Sequence, residues 1–213
     1  MGGRGASSGG GGASLKKNEQ NAIEYYVSGE GMWINNYFRN DGSIKELTDF
    51  ESDFVKGLDS ATNRTLKEQT LYRSVDAKAI FGNISDDDYY DLTQYMVWGG
   101  DTFGDGRYGD YVRKKSQFLA NRAKGRTIID KGFVSTTTDY NVANEWRGFS
   151  GSSRPVVLEI KTNKKTKGVD VSYTDKKAYG APQKEILLAR NQKFKVTDIS
   201  GKNGQIYVKV EMN

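Results

Sequence analysis

The order of apolar and polar positions divides the chain into a helical first part and a strand-rich second part. "EQNAIEYYVSGEGMWINNYFRN" (19–40) carries Ile34 and Phe38 four apart, with a glycine-containing break near Ser28–Gly31. "SIKELTDFESDFVKGLDSA" (43–61) opens with Ser43 and has Glu46 three residues on, a capping box. Ile44, Leu47, Phe54 and Leu58 follow on one helical face, predicting one continuous helix. "SDDDYYDLTQYMVWGG" (85–100) starts on a Ser/Asp cap whose acids suit the helix dipole, and it stops at Gly99. "DYVRKKSQFLANRAKG" (110–125) reads the same way and ends at Gly125.

Strand patterns then take over, after an isolated one in "TLYRSV" (70–75). They are "TIID" (127–130), "GFVSTT" (132–137), "RPVVLEIK" (154–161), "EILLAR" (185–190), "KFKVTDIS" (193–200) and "QIYVKVEM" (205–212). The last alternates: Ile206, Val208, Val210 and Met212 on one face, Tyr207, Lys209 and Glu211 on the other. Helices first and strands later predict an α+β fold rather than alternating β/α units. "GGDTFGDGRYGD" (99–110) reads as a long loop. It lacks the Lys-Ser/Thr end of a phosphate loop and the ligand spacing of a calcium loop. "KTNKKTKG" (161–168) reads as a solvated turn, or as electrostatic guidance for an acidic target.

Composition narrows the chemistry. The 213 residues include neither cysteine nor histidine. Thiol chemistry, the usual zinc ligands and the usual general base are therefore excluded. Catalysis has to rest on carboxylates, hydroxyls, amides and arginines, and we expect no metal. Mean hydropathy is −0.72, and no stretch approaches the ~18 apolar residues of a membrane span. The net charge of +5 is carried by the later part of the chain, which suits an anionic ligand such as a dinucleotide or an acidic partner surface. The Gly/Ser-rich start predicts a flexible leader over 1–17 and a single domain over 18–213. It has no apolar stretch of a Sec signal, so the expected location is the cytoplasm or a target cell reached by another route.

Three polar signals stand in strand settings. Arg73 lies inside the short apolar run "LYRSV" and needs an anionic partner, either a ligand or a protein carboxylate. Ser135 follows "GFV", where a hydroxyl can cap the turn or orient a carboxylate on an adjacent strand. In "AYGAPQKEILLAR" (178–190), Gln183 and Glu185 stand one residue apart, just ahead of an apolar run. Strand alternation would put both on one face and turn Lys184 away.

In this order the chain resembles the R-S-E class of mono-ADP-ribosyltransferases, the fold of bacterial toxins that split NAD and attach ADP-ribose to a target. "MWINNYFRN" resembles the family's motif helix, "LYRSV" its arginine strand and "GFVSTTTD" its Ser-Thr-Ser strand. "RPVVLEI" resembles the strand after the phosphate–nicotinamide loop. "AYGAPQKEILLARNQKFKVTDI" resembles the acceptor turn, catalytic strand and next strand. The resemblance runs from about residue 20 to 213 and implies N-terminal helices packed on a split β-sandwich. It implies a catalytic set of Glu185, Ser135 and Arg73. Glu185 would bind the nicotinamide ribose, Ser135 would hold Glu185, and Arg73 would bind the pyrophosphate side of NAD. NAD contacts are implied for Asn35, Arg39 and Thr136. They extend to Trp146, which could equally be a core aromatic of "NVANEW", and to Arg154, with Arg147 as competitor. Two departures stand out. The motif helix usually has an aromatic four residues before its first Asn, where this chain has Gly31, with Trp33 as substitute. Ser74 stands where some relatives have a second Arg.

The Gln-x-Glu pair resembles that of the Rho-modifying clostridial exoenzymes, which modify asparagine, and of pierisin-like enzymes, which modify guanine in DNA. Gln183 and Tyr179 would then recognise the acceptor. The implied function is transfer to a non-arginine side chain of a target protein, a small GTPase being one option, by a toxin or phage effector. Transfer to a DNA or RNA base, and a non-catalytic binding member of the fold, are the alternatives.

Overall fold

The computed structural model describes residues 14–99, 104, 106–146, 154–177 and 182–213. The start of the leader, residues 100–103 and 105 of the glycine-rich stretch, Arg147 and Tyr179 lie outside these. Helix α1 (Lys17–Tyr25) runs into a π-helical turn (Tyr26–Glu30) and on into α2 (Gly31–Arg39). The break expected near Ser28–Gly31 is this turn. Gly29 sits at φ 127°, which only glycine adopts without strain, and the Gly31 N–H donates to the Tyr26 carbonyl, an i→i+5 bond.

The helix expected from Ser43 is two elements. The Ser43–Glu46 capping box closes only a 3₁₀ turn (Ile44–Glu46), after which Leu47 is extended. A second box, Thr48–Glu51, starts α3 (Asp49–Thr62). Two boxes compete within nine residues, and the later one leads into the apolar face of Phe54, Val55 and Leu58, which is buried. Strand β1 (Thr70–Asp76) leads to the short α4 (Lys78–Phe81), then α5 (Asp86–Trp98) and α6 (Arg107–Ala123). Ser85 caps α5 as expected, and Gly99 ends it in the left-handed region. Next come β2 (Thr127–Asp130), β3 (Val134–Thr137), α7 (Tyr140–Glu145), β4 (Pro155–Lys161), β5 (Gly168–Asp170) and a 3₁₀ turn (Ser172–Lys177). Strands β6 (Glu185–Leu188), β7 (Gln192–Lys202) and β8 (Gln205–Met212) follow.

The strand order is β2-β7-β8-β4-β1-β3-β6-β5. Strand β8 pairs antiparallel with β7 and parallel with β4. Strand β1 pairs with β4 along its whole length, from Thr70↔Lys161 to Asp76↔Pro155, but meets β3 only at Tyr72↔Thr137. That single join splits the sheet into a five-stranded and a three-stranded part. The three-stranded part is covered on both faces. Val134, Ile186 and Leu188 pack into a core with Leu71, Leu158 and Val208 of the larger part and Ile80 and Leu92 of α4 and α5. Leu187 and Val169 face a second core made by α1–α3, with Ile23, Ile34, Phe38 and Leu58. A strand covered on both faces reads as a continuous apolar run, which explains Ile186, Leu187 and Leu188 of β6.

The α1–α3 contact contains an internal ion pair. Glu19, 2% exposed, accepts from Ser60 Oγ at 2.6 Å, from Arg64 Nη2 at 2.7 Å and from the Lys16 N–H at 2.7 Å. Burial pushes its carboxyl up, but the Ser60, Lys16 and Arg64 contacts together hold it at about 2. Arg190, just after β6, fastens the same layer through a two-pronged pair with Asp59 and lies over the Phe38 ring.

Candidate functional site

The join between the two parts of the sheet brings Arg73, Ser135 and Glu185 to neighbouring strands. In the β3–β6 register Ser135 lies opposite Leu187, and Thr137 opposite Glu185. These four side chains share the face turned to α1–α3, since directly opposed residues of an antiparallel pair point the same way. Ser135 and Glu185 are diagonal neighbours on that face. Glu185 is 7% exposed, a carboxylate at the mouth of a fully buried strand. Arg73 reaches over from β1 and donates from Nη1 to the Ser135 carbonyl at 3.2 Å. Burial pulls the Arg73 guanidinium below its ordinary value, Arg39 adds to this, and Asp130 and Glu185 oppose it. An arginine in this setting stays charged and retains donors for an anion.

A residue that the sequence reading did not single out stands at the centre of the cluster. The Tyr26 hydroxyl lies 3.0 Å from Ser135 Oγ and accepts from Asn35 Nδ2 at 2.7 Å. Asn35 Oδ1 in turn accepts from the Phe133 N–H at 2.7 Å. Asn35 is thus held on both ends of its amide by the protein itself. Burial holds the Tyr26 phenol above its ordinary value, against its hydrogen bond with Ser135, and the Glu185 charge adds to the rise. The ring packs edge-on to Phe133 and lies over Gly31, where an added Cβ would fall 2.8 Å from ring carbons. Trp33, expected to replace the aromatic missing at Gly31, instead points outward, 41% exposed and stacked on Tyr37. The place is filled from Tyr26.

The turn before Glu185 departs from the expected alternation. Strand β6 begins at Glu185 itself, and Lys184 sits at φ 48°, in the left-handed region. Gln183 is therefore not a strand partner of Glu185, and the i, i+2 rule does not place it. The turn is held from β3 and the residues after it. Thr137 Oγ1 donates to the Gln183 carbonyl at 2.7 Å, the Thr138 N–H to the Lys184 carbonyl at 3.3 Å, and Lys184 Nζ pairs with Asp139 at 2.9 Å. Thr137 was hidden in the sequence among three consecutive threonines.

The remaining expected contacts separate. Arg39 is close to the cluster but is engaged by Asp130, Nε to Oδ1 and Nη2 to Oδ2, both at 2.9 Å, leaving Nη1 for any ligand. Thr136 does not face the site. It is fully buried on the opposite side of β3, where alternation places it, and donates to the Ile186 carbonyl at 2.7 Å. Trp146 caps the end of α7, half-buried and outside both cores. Arg154 is drawn away: its Nη1 donates to the Ile84 carbonyl at 2.7 Å and lies 3.4 Å from Asp86. It lines a surface depression of about 460 Å³ with Asp86, Asp87, Tyr89, Tyr90 and Thr93 of α5. Aspartates there repel phosphates, and none of Arg73, Ser135 and Glu185 touches it. Among the described residues no cluster of three His, Cys, Asp or Glu could hold a metal, and no helix is long and apolar enough to cross a membrane.

A buried carboxylate diagonal to a serine and a half-buried arginine, at the split of a sheet covered by N-terminal helices, define a class. Residues 10–213 match the family model described as ADP-ribosyltransferase exoenzyme. The chain belongs to that family. Solved structures agree in fold. C3stau2 from S. aureus, solved with NAD, is 22% identical, with a TM-score of 0.66 over 93% of this chain and 87% of that one. The Clostridium limosum C3 exoenzyme is 20% identical, with a TM-score of 0.62 over 93% and 86%. BECa, from a binary enterotoxin of C. perfringens and solved with NADH, is 18% identical, with a TM-score of 0.62 over 93% of this chain and 44% of that one. No curated protein sequence matches.

Proposed function

We propose that the protein is a mono-ADP-ribosyltransferase that splits NAD and transfers ADP-ribose to a non-arginine side chain, asparagine or one like it, of a target protein. One observation carries the reading: the buried Glu185 shares a strand-pair face with Ser135, and Arg73 is hydrogen-bonded to that pair. In this scheme the bond between ribose C1′ and the nicotinamide nitrogen breaks, and nicotinamide leaves with the electron pair. Positive charge collects on the ribose, where a fixed anion lowers the barrier. Glu185 is that anion. The acceptor nitrogen bonds to C1′ and gives up a proton. Arg73, and Nη1 of Arg39, meet the pyrophosphate with charge-assisted hydrogen bonds. C3stau2 and BECa, solved with NAD and NADH, support NAD as the substrate.

Gln183 favours an amide acceptor. It cannot take a proton, but it offers both a donor and an acceptor to a side-chain amide. The test is labelling with a clickable NAD analogue in bacterial and eukaryotic lysates, with and without nuclease. A discrete protein band that disappears with Glu185→Gln supports the proposal. Label that nuclease removes would reassign the acceptor to a nucleic-acid base. Equal labelling by a well-folded Glu185→Gln protein would refute the site.

A further inference from the structure

We infer that Tyr26 is a positioning residue that sets the direction of the Ser135 hydroxyl, so that the one hydrogen of Ser135 is left for Glu185. This deepens the reading of Ser135 and Glu185 given above and rests on it. The argument follows the hydrogens along the chain Phe133–Asn35–Tyr26–Ser135. A backbone N–H can only donate, so the group of Asn35 facing Phe133 at 2.7 Å has to be the carbonyl oxygen. That fixes the amide, and its NH₂ end faces Tyr26 at 2.7 Å. The Tyr26 oxygen therefore accepts on that side. Its own hydrogen is free to point to Ser135 Oγ, 3.0 Å away. Ser135 Oγ then accepts, and its hydrogen has to find another partner. On the shared face of β3 and β6 the diagonal neighbour of Ser135 is the Glu185 carboxylate. A hydroxyl donating to a charged carboxylate is among the stronger hydrogen bonds, and a hydroxyl that already accepts one is a better donor.

The backbone is built to bring Tyr26 there. The i→i+5 bond from the Gly31 N–H to the Tyr26 carbonyl winds the turn wide, and the bare Gly31 leaves room for the ring. An aromatic side chain at position 31 would need the same space. A tyrosine five residues earlier thus fills the place over the helix and adds the hydroxyl that reaches Ser135.

The experiment measures nicotinamide release from NAD by wild type, Tyr26→Phe, Ser135→Ala and the double variant, with melting temperatures for each. Tyr26→Phe keeps the ring over Gly31 and removes only the hydroxyl. We expect kcat to fall about tenfold or more, with the KM for NAD within about twofold of wild type. In the Ser135→Ala background the same change should alter kcat by less than about twofold, because the group it orients is gone. Equal losses in both backgrounds, or no loss at all, would overturn the relay. Asn35→Asp asks the same question with every ring in place. An aspartate cannot donate to Tyr26, so Tyr26 turns to donate to it and draws the Ser135 hydrogen away from Glu185. Its loss should match that of Tyr26→Phe and should not add to it; full activity of Asn35→Asp would count against the relay. Glu185→Gln is the control for the underlying reading. If wild type releases nicotinamide and Glu185→Gln does not, that reading stands whatever Tyr26→Phe does. No release by wild type would overturn both.

Discussion

Replacing Glu19 by Gln tests whether the buried ion pair of α1 and α3 stabilises the platform under the site. The side chain keeps its size but loses its charge, and Arg64 is left facing a neutral amide. The carboxyl is held at about 2, against an ordinary 4.5. At roughly 1.4 kcal/mol per pH unit this amounts to about 3 kcal/mol of stability at neutral pH. Glu19 is nearly unexposed, so solvent screening takes little from that figure. The sign follows from a folded value below the unfolded one. The stabilisation is complete above about pH 4.5 and is lost as pH falls through about 2, with roughly 1 kcal/mol left at pH 3. For a domain of this size a loss of about 3 kcal/mol lowers the melting temperature by roughly 6–12 °C. Thermal melts of wild type and Glu19→Gln at pH 7 and pH 3 should therefore show a wide gap that narrows on acidification. A gap of the same width at both values would mean that packing, not ionisation, carries the effect.

Gly31→Ala forces a Cβ to 2.8 Å from the Tyr26 ring; it should cost about 1–3 kcal/mol by melting and lower turnover with it. Thr137→Val removes the hydroxyl that holds the Gln183 carbonyl while keeping the side chain's shape. Transfer to the target should fall further than nicotinamide release, because the turn rather than the ribose site is loosened; equal losses would argue that Thr137 acts on Glu185. Gln183→Glu should likewise reduce transfer more than NAD cleavage, and equal losses would remove Gln183 from acceptor recognition.

Most strands were legible because their signals are local. The alternation of Ile206, Val208, Val210 and Met212 marks one face of β8, and all four lie in one core. The resemblance carried by Arg73, Ser135 and Glu185 implied one shared site, and the register sets their three strands side by side. Strand β5 escaped because three residues carry no period, and it lies where a lysine-rich turn was expected to end. The Gln183–Glu185 pairing failed on one backbone angle, at Lys184, which side-chain alternation does not encode. Arg154 and Thr136 show the limit of transferring roles by motif. An arginine goes to the strongest local acceptors, here Ile84 O and Asp86, and a threonine goes to whichever face its strand position gives it. Tyr26 was out of reach because its partner Ser135 is 109 positions away. The clue was indirect: Gly31 where an aromatic is usual, with Tyr25 and Tyr26 just upstream of a glycine break.

Strand β8 is the last strand of the sheet, yet it lies in its interior, bonded to β7 on one side and to β4 on the other. During synthesis β1, β3, β4 and β6 are all made before the strand that joins them to β2 and β7. Strand β8 pairs in parallel with a strand some fifty residues upstream, the kind of distant pairing that folds slowly. The strands that carry Arg73, Ser135 and Glu185 bond to one another and, through β1, to β4, so the hairpin completes the larger part of the sheet without entering any pairing of the site.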